Sequence, residues 1–397
     1  MSPSPDCCII GGGIIGLSIA RELAGRGLRV TLLARDRSRD TASWAAAGIF
    51  PPAPVFDDWS PGDSLTTWSD SLHHRWATEL REETGIDNEL RRCGGLHVAG
   101  SAHHLAGLRT SASDWQRKGA ACEWLDGASV ARLEPALAGA VDRGGIVGGF
   151  LLPDEMSIRP PRHLEALTRS CLKRGVDIRT TAVATGFDVA DGRVHGILTN
   201  DGRITAASYC LAAGAWSGTL AAALGLHLET RPIRGQIALL RLPQQVLAHV
   251  VNLGLDYLVP RDEGRLLVGS TIEDAGFDAT TTADAVERLL HVAARLLGDL
   301  SATRVELAWA GLRPGSADGL PSLGGVPGLC NAYVAAGHFR AGLHQSTGTA
   351  VLLADLITGA NPAIDPAPFD PARVIVPAAG HRGSVADYLA RAAAESA

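Results

Sequence analysis

A chain of 397 residues, with 46% hydrophobic and 20% charged residues, is long enough for two globular domains with sizeable cores. The formal net charge of −6 gives no broad attraction to nucleic acid or to an anionic membrane, so no nucleic-acid partner is expected. The seven cysteines are scattered without a C-x-x-C pair, which predicts free thiols and neither disulfides nor a metal site. Without a basic leader or an apolar run of roughly 20 residues, a cytoplasmic protein with no membrane span is expected.

The N-terminal residues predict a strand, a tight turn, a helix and a second strand. The strands are expected at Cys7–Ile10 and Val30–Leu33, which are apolar runs rich in β-forming residues. Between them Ile15, Ile19 and Leu23 recur at helical spacing, and glycines then end the helix. The segment is therefore predicted to be a βαβ unit.

Three glycines of the first turn have the G-x-G-x-x-G spacing of dinucleotide-binding units. Gly11 permits the tight turn, Gly13 lets a pyrophosphate approach the backbone, and Gly16 lets the helix pack on the strand. The pyrophosphate then meets the unpaired N–H groups at the helix N-terminus. Glycine triplets also occur in ordinary loops, but their position inside a βαβ unit favours a dinucleotide cofactor.

The residue that ends the second strand departs from the usual pattern. An acidic side chain commonly stands there and binds the ribose hydroxyls, whereas this chain has Ala34. Arg35 and Asp36 follow. Asp36 either replaces the missing contact from a shifted loop or is, like Arg35, a solvated turn charge, and both interpretations stay open.

The rest of the chain predicts a mixture of helices and strands. In chain order these are helices at Leu72–Glu83, Ala102–Lys118 and Arg162–Arg174, strands at Val176–Arg179, Val183–Val189, Val194–Thr199, Ile204–Leu211, Arg234–Leu242, Tyr257–Val259 and Arg265–Ser270, a helix at Thr282–Leu297, a strand at Ala332–Ala335, a turn at Gly337–Leu343, and helices at Gly348–Thr358 and Arg382–Ala397. The adjacent histidines His73-His74 and His103-His104 lie on polar helical segments and are expected at the surface.

This order predicts an α/β fold in which a discontinuous Rossmann-like domain carries an inserted domain. The dinucleotide-binding domain is expected to comprise residues 1–85, 144–223 and 302–397, because a βα pattern returns near the C-terminus. Residues 86–143 and 224–301 are expected to form an α+β substrate-binding domain on an antiparallel sheet.

Four segments resemble the glycine oxidase and D-amino acid oxidase family of flavoproteins, and the similarity covers nearly the whole chain. They are residues 42–49 (ASWAAAGI), 211–217 (LAAGAWS), 309–315 (WAGLRPG, continuing to Asp318, Gly319 and Pro321) and 335–340 (AAGHFR, continuing to Gly342). The last two segments are the most specific for the family, because they are long and their residues follow in the same order. The resemblance implies FAD as the cofactor, bound non-covalently, since residues 309–320 contain no Cys or His for a covalent link.

The glycine turn and the resemblance together imply a set of cofactor-binding residues. These are Gly11, Gly13, Ile14, Ile15, Gly16, Ala34, Arg35, Ala42, Ser43, Ala47, Gly48, Ile49, Val183, Ala213, Gly214, Trp216, His338, Phe339, Arg340, Ala341, Gly342, Leu343 and His344. Among them His338 is interpreted as a residue beside the flavin or in loop packing, and not as a general base.

Arg313, in the segment Leu-Arg-Pro-Gly, is the first candidate for substrate binding. A guanidinium holds a carboxylate through two parallel hydrogen bonds, which fix orientation as well as charge. The resemblance assigns this role to Arg313. From the residues alone, the alternative is a structural ion pair, for instance with Asp318.

Three further residues are candidates for the substrate site. Arg340 either adds positive potential for the substrate carboxylate or the reduced flavin, or forms a structural salt bridge. Tyr257 matches a family tyrosine that packs over the substrate, with a buried core tyrosine as the alternative. Ile272 replaces a methionine of the family pocket, and Leu255 stands where glycine oxidases can carry a histidine, so the resemblance leaves the exact substrate open.

The resemblance implies oxidative deamination of a small amino acid, such as glycine, sarcosine or a small D-amino acid. Hydride passes to the flavin without a required side-chain base, dioxygen is the electron acceptor, and the products are an oxo acid, ammonia and hydrogen peroxide. Family members can feed thiamine biosynthesis. The alternatives are an amino acid dehydrogenase of the proline or D-amino acid type that reduces a quinone, a flavin-binding protein without turnover, and an NAD-dependent dehydrogenase. A homo-oligomer is left open.

Overall fold

The computed structural model describes residues 4–35, 41–53, 60–375 and 384–396. The strands are β1 (Cys7–Ile10), β2 (Val30–Leu33), β3 (Ile49–Phe50), β4 (Arg91–Arg92), β5 (Gly95–Ala99), β6 (Glu123–Asp126), β7 (Gly148–Leu152), β8 (Met156–Ser157), β9 (Asp177–Arg179), β10 (Ala184–Ala190), β11 (Arg193–Thr199), β12 (Gly202–Ile204), β13 (Ser208–Leu211), β14 (Thr230–Arg241), β15 (Val250–Leu253), β16 (Asp256–Arg261), β17 (Arg265–Gly269), β18 (Arg304–Ser316), β19 (Ser322–Gly325) and β20 (Ala332–Ala336).

The helices in the same ranges are α1 (Ile14–Gly25), α2 (Ala42–Ala45), α3 (Pro61–Thr84), α4 (Ala102–Arg117), α5 (Gly127–Leu133), α6 (Ala138–Asp142), α7 (Pro160–Lys173), α8 (Ser217–Ala222), α9 (Ala283–Leu297), α10 (Ser346–Thr358) and α11 (Val385–Ser396). In this described part of the chain, no helix combines the length and the apolar character needed to cross a bilayer.

A six-stranded sheet contains the N-terminal βαβ unit, which confirms that prediction. Its strand order is β19-β20-β13-β1-β2-β9, and every pair is parallel except β19 with β20. All four residues of β1 are buried, as expected for a central parallel strand that is covered on both faces. Helix α1 packs beside α7 and α10, and together they bury one of the large apolar cores.

An eight-stranded sheet forms the second layer of the molecule. Its order is β18-β14-β17-β16-β15-β5-β7-β6, and all of its pairs are antiparallel except β15 with β5. Helix α9 packs on β14 and β17 through Leu289 and Leu296, which join Leu240 and Val268 in a second core. The predicted class, a Rossmann-like α/β fold with an antiparallel sheet, is confirmed.

The domain division stays a prediction, but sheet membership argues for a change in its boundaries. Strands β7 and β18 lie in residue ranges predicted for the dinucleotide-binding domain, yet both are hydrogen-bonded into the eight-stranded sheet. We therefore propose that residues 148–152 and 304–316 belong with the substrate-binding domain.

One predicted strand was wrong. Residues Ile204–Leu211 form two strands, since β12 pairs antiparallel with β11 in a three-stranded sheet while β13 pairs parallel with β1 in the six-stranded sheet. The chain changes sheet between them, and the Ala206 N–H donates to the Tyr209 hydroxyl at 2.8 Å. The pattern of residue types along the chain does not reveal such a change of partner, although the two strands differ in burial: β12 is mostly exposed, whereas β13 is mostly buried.

The first residues of α3 were missed by the sequence prediction, which began at Leu72. The helix begins at Pro61. At this first position an N–H has no partner within the helix, so proline, which lacks the N–H, removes no hydrogen bond. The Ser60 hydroxyl accepts the Asp63 N–H at 3.2 Å and caps the helix. Most residues in the first part of α3 are polar, so the apolar residues there do not show a clear helical spacing.

The surface assignment of His73 was also wrong. His73 is buried, and its Nε2 lies 2.7 Å from the His344 carbonyl oxygen. His74, the next residue, is exposed as predicted. The polar neighbours of His73 suggested a solvated face, but the other face of α3 packs on α10.

Buried imidazoles predict that the folded state is destabilised by mild acid. Burial lowers the pKa of His163 and of His338 from 6.5 to about 3, and it lowers the pKa of His73 well below 6.5. Below pH 6.5 these imidazoles bind protons in the unfolded chain but stay neutral in the folded protein. The free energy of unfolding is therefore highest above pH 6.5 and decreases as the pH falls toward 3.

We expect His163 and His338 each to remove about 2 kcal/mol of unfolding free energy between pH 7.5 and 5. Denaturant unfolding of the purified protein at pH 7.5, 6.5 and 5 measures this loss. His163→Leu should make the pH dependence shallower. Identical pH dependence in the variant and the unchanged protein would show that His163 is not held neutral by burial.

All seven cysteines are free in the structure, as the sequence predicted. Cys7, Cys8, Cys171 and Cys210 are buried, and burial raises the pKa of the first three thiols to about 12. These thiols therefore act as small apolar core residues.

Candidate functional site

A cavity of about 930 Å³ lies between the glycine turn of the six-stranded sheet and the inner face of the eight-stranded sheet. Most of the predicted site residues line it, namely Gly11, Gly13, Ile14, Ile15, Ala34, Arg35, Ala42, Ser43, Ala47, Gly48, Ile49, Val183, Ala213, Gly214, Trp216, Tyr257, Arg313, His338, Phe339, Arg340, Gly342 and Leu343. Gly16, Ala341, His344 and Ile272 do not line it. One cavity thus brings together segments from along nearly the whole chain.

The glycine turn is closely packed, and each glycine has a separate structural reason. Gly11 has a φ of +122°, and a Cβ there would stand 2.2 Å from the Ala212 carbonyl oxygen. A Cβ on Gly16 would stand 1.9 Å from the Gly11 carbonyl oxygen. A Cβ on Gly13 would meet only the Ser43 Oγ, at 3.1 Å, so that the absence of a side chain there leaves the cavity open.

The N-terminus of α1 faces this opening. Gly13 caps the helix without a side chain, and the Ile14 N–H donates to Ser43 Oγ at 2.9 Å. A helix N-terminus with small neighbouring residues is suited to a pyrophosphate, because its N–H groups and dipole favour negative charge. The chemistry and the space at this end of the cavity therefore fit FAD.

The end of β2 lies beside the glycine turn of the same cavity, since a Cβ on Gly12 would stand 2.4 Å from the Ala34 Cβ. Ala34 lines it, and the Arg35 guanidinium lies 3.8 Å from the centroid of the Trp216 ring. Arg35 is exposed, and this stacking gives it a specific contact beside the cavity, while its contact with the cofactor stays a prediction. Asp36, the second candidate for the ribose contact, lies outside the described residues, so that alternative stays a prediction.

Arg313 lies at the opposite end, on β18. Its Nη2 donates to Ser270 Oγ at 2.8 Å, and its Nη1 donates to the Thr271 carbonyl oxygen at 3.2 Å. A Cβ on Gly235 would stand 2.1 Å from Arg313 Nη1, so the guanidinium occupies the space that this glycine leaves. Burial, and then the charge of Arg340, lower the pKa of Arg313 to about 10, so it stays protonated at neutral pH.

The alternative role for Arg313, an ion pair with Asp318, is wrong. Asp318 pairs instead with Arg373, at 2.9 Å. Within the described ranges, no carboxylate forms a salt bridge with Arg313. A half-buried cation that contacts hydroxyls and carbonyl oxygens of the described chain, and none of its carboxylates, is suited to an anionic ligand from outside the chain, because desolvating a charge without a counter-ion is costly.

Tyr257 and Arg340 lie close to the Arg313 guanidinium. Tyr257 is buried on β16, and its ring occupies the space over Gly269, where a Cβ would stand 2.5 Å from the ring. Arg340 follows β20, is exposed, and stands 4.8 Å from the centroid of the Tyr388 ring. In the part of the chain that the structure describes, Arg340 forms no salt bridge, so the structural-pair alternative gains no support.

Two predicted site residues lie behind the cavity wall. Ile272 packs with Ile233, Phe339 and Val385 in a small apolar cluster. His344 is buried, with its Nε2 2.9 Å from Asp70 Oδ1. Their contacts with substrate or cofactor stay predictions. His338 does line the cavity, and its Nε2 lies 3.0 Å from Thr349 Oγ1.

Several residues that shape the site were not predicted from the sequence. Gly235 and Ser270 hold the Arg313 side chain, and the Arg261 side chain donates to the Ala47 carbonyl oxygen at 2.6 Å beside the small-residue segment. An isolated glycine within a β run signals close approach of another group, so Gly235 could have been found. Ser270 had no comparable signal.

A methyl group at Gly235 should weaken substrate binding without loss of the cofactor. Gly235→Ala places a Cβ against the Arg313 guanidinium, so the arginine must tilt away from its productive position. We expect about a tenfold rise in KM. Steady-state kinetics with the flavin content measured in parallel tests this. Gly107→Ala, which meets nothing within 4 Å, is the matched control.

The glycine turn of a Rossmann-like sheet opens onto a cavity that the half-buried Arg313 guanidinium also lines. This arrangement defines a dinucleotide-binding enzyme that acts on a small anion. The family model described as "FAD dependent oxidoreductase" matches residues 6–356. The chain belongs to this family. Its cofactor is therefore FAD, as predicted.

Named relatives agree with the family match. Glycine oxidase of Pseudomonas aeruginosa is 36% identical over 367 residues, which cover 92% of this chain and 98% of that protein. Glycine oxidase of Geobacillus kaustophilus is 34% identical, over 93% of this chain and 97% of that protein. The crystal structure of glycine oxidase from G. kaustophilus has a TM-score of 0.88 at 32% identity, and covers 94% of this chain and 100% of that one. These findings confirm FAD-dependent oxidation of an amino acid amine as the reaction class.

Proposed function

We propose that this enzyme oxidises glycine, sarcosine or a small D-amino acid to an imine, with dioxygen as the electron acceptor that is reduced to hydrogen peroxide. Water hydrolyses the imine to an oxo acid and ammonia, or to an oxo acid and methylamine when the substrate is sarcosine. The observation that carries the proposal is the protonated Arg313 guanidinium, which faces the FAD cavity without a carboxylate of the described chain beside it. The similarity to glycine oxidases supports a small amino acid as the substrate.

Binding begins with the substrate carboxylate at Arg313. Ser270 and Thr271 hold the guanidinium on one side, so its remaining N–H groups are free to donate to the carboxylate in a fixed orientation. Arg340 adds positive charge, and the Tyr257 ring covers the bound molecule from the sheet side. Orientation of the substrate Cα relative to the cofactor is thus the main contribution of these residues.

Bound FAD supplies the two-electron acceptor, and the chain supplies position and electrostatics. The His338 imidazole lines the cavity, but its pKa of about 3 makes it too weak a base to take a proton near neutral pH. We therefore expect the substrate to bind with its amine already neutral, so that no proton transfer to His338 is needed.

The decisive experiment is anaerobic reduction of the enzyme-bound flavin by a panel of glycine, sarcosine, D-alanine, D-proline and L-proline. Bleaching by glycine, sarcosine or a small D-amino acid, followed by peroxide on admission of air, is the expected result. Bleaching by L-proline alone, or dye reduction without peroxide, would favour the amino acid dehydrogenase. Absence of bleaching by every member would contradict the proposal and favour a flavoprotein without turnover.

Three finer assignments remain proposals of the same kind. They are a contribution to thiamine biosynthesis, a cytoplasmic location and a homo-oligomeric state. Growth of a deletion strain with and without thiamine tests the first, fractionation tests the second, and sedimentation tests the third.

A further inference from the structure

The last helix of the chain packs against the substrate end of the cavity. The family match ends at residue 356, so α11 (Val385–Ser396) lies beyond it. Val385 is 4% exposed and packs with Ile233 and Phe339. A Cβ on Gly315 would stand 2.3 Å from Val385 Cγ2, so glycine at this position lets the helix come close to β18.

The position of this contact ties α11 to the arginine site. Gly315 lies two residues beyond Arg313 on β18, and hence on the same face of the strand. Ile233 is the direct partner of Arg313 in the ladder between β14 and β18. Helix α11 therefore packs beside the stretch of sheet that carries the carboxylate-binding candidate.

Tyr388 is the residue of α11 that reaches the loop after β20. Its ring meets the Phe339 ring edge-on, with centroids 5.3 Å apart. The guanidinium of Arg340 stands over the Tyr388 ring at 4.8 Å, and that of Arg391 lies at 5.2 Å. Phe339 and Arg340 both line the cavity, whereas Tyr388 does not. Tyr388 therefore acts on the site from behind Phe339 and Arg340, and it also lies close enough to Arg313 to raise the pKa of that guanidinium.

An unrestrained Arg340 would bind a carboxylate less well. An exposed arginine side chain has many rotamers, and ordering it on substrate binding costs conformational entropy. A ring face beneath the guanidinium restricts those rotamers in advance through a cation–π contact. It leaves the N–H groups at the edge of the guanidinium free for hydrogen bonds.

We propose that Tyr388 is a positioning residue for the substrate carboxylate, holding Arg340 over its ring at the Arg313 end of the cavity. The C-terminal helix is then a working part of the substrate site. This inference rests on the proposed function, because it assumes that a small carboxylate binds there.

The test uses the FAD-bound protein and two readouts. The first is the dissociation constant of acetate, an unreactive carboxylate, measured from the perturbation of the flavin absorption spectrum. The second is the separation of KM from kcat for whichever amino acid reduces the flavin. In Tyr388→Ala we expect acetate affinity and KM to weaken about 2- to 30-fold, with kcat and flavin content unchanged. Tyr388→Phe should stay within about twofold of the unchanged protein, since the ring face is retained.

Two controls separate positioning from general damage. Trp124→Ala removes the ring beneath Arg109, an equivalent stack at 4.6 Å on the edge strand β6, and should leave acetate binding unchanged. In an Arg340→Ala background, Tyr388→Ala should cause no further loss, because the partner is gone.

Three results would overturn the inference. They are unchanged acetate binding in Tyr388→Ala, equal loss in Tyr388→Phe, and a full additional loss in the Arg340→Ala background. In each case the unchanged protein still binds acetate, so the proposed function stands. If the unchanged protein binds neither acetate nor any amino acid of the panel, the proposed function has failed and this inference fails with it.

Discussion

Arg313→Ala is expected to raise the KM for the amino acid substrate about 30-fold or more while FAD stays bound. Removing one partner of a desolvated charge pair costs about 2–5 kcal/mol, and every 1.4 kcal/mol is tenfold in affinity. Arg313 lies at the sheet end of the cavity, whereas the glycine turn that fits the pyrophosphate lies at the other. Steady-state kinetics and the flavin-to-protein ratio measure the two effects separately.

A conservative variant sharpens the same prediction. Arg313→Lys keeps a positive charge but loses the planar fork that holds both carboxylate oxygens, so an intermediate loss is expected. Ser270→Ala should cost less than either change, because it removes one hydrogen bond that orients the guanidinium and leaves the guanidinium itself. Kinetics of Arg313→Ala that match the unchanged enzyme would contradict the assignment.

Gly13→Val is expected to give a folded but colourless protein, with FAD affinity reduced about 100-fold or more. A Cβ at Gly13 meets only Ser43 Oγ, and the backbone there has a φ of −78°, which any residue adopts. The fold should therefore tolerate the change. The valine methyl groups fill the space through which a pyrophosphate reaches the N-terminus of α1. The cofactor then loses its contact with the N–H groups of that helix, which is the strongest anion contact at the glycine turn.

Titration of the apoprotein with FAD measures this loss, and circular dichroism checks the fold. Gly11→Val is a useful comparison, because its Cβ would collide with the Ala212 carbonyl and should impair folding itself. A yellow Gly13→Val protein that binds FAD normally would show that the pyrophosphate lies elsewhere.

Much of the fold could be predicted from short-range patterns. The βαβ unit, the positions of β1 and β2 and the helices α9 and α10 were predicted nearly to the residue, because period and capping act over a few positions. The split of Ile204–Leu211 into two strands was not predicted, because strand pairing joins residues that are far apart in the chain. The buried face of α3 at His73 was missed for the same reason.

For the candidate site, the sequence by itself determined the family, and it predicted the glycine turn as the FAD-binding turn and Arg313 as the leading substrate-binding candidate. Each depends on residues adjacent in the chain, whose spacing a cofactor or a motif constrains directly. Only the tertiary structure decided that Arg313 lies apart from Asp318, rests over Gly235 and is held by Ser270. It also placed Tyr388 beside Arg340. The Gly235 and Ser270 contacts of Arg313 join parts of the eight-stranded sheet that are tens of residues apart, and the Tyr388 contact joins α11 to the loop after β20 of the other sheet. Tertiary packing, not local periodicity, brings these residues together.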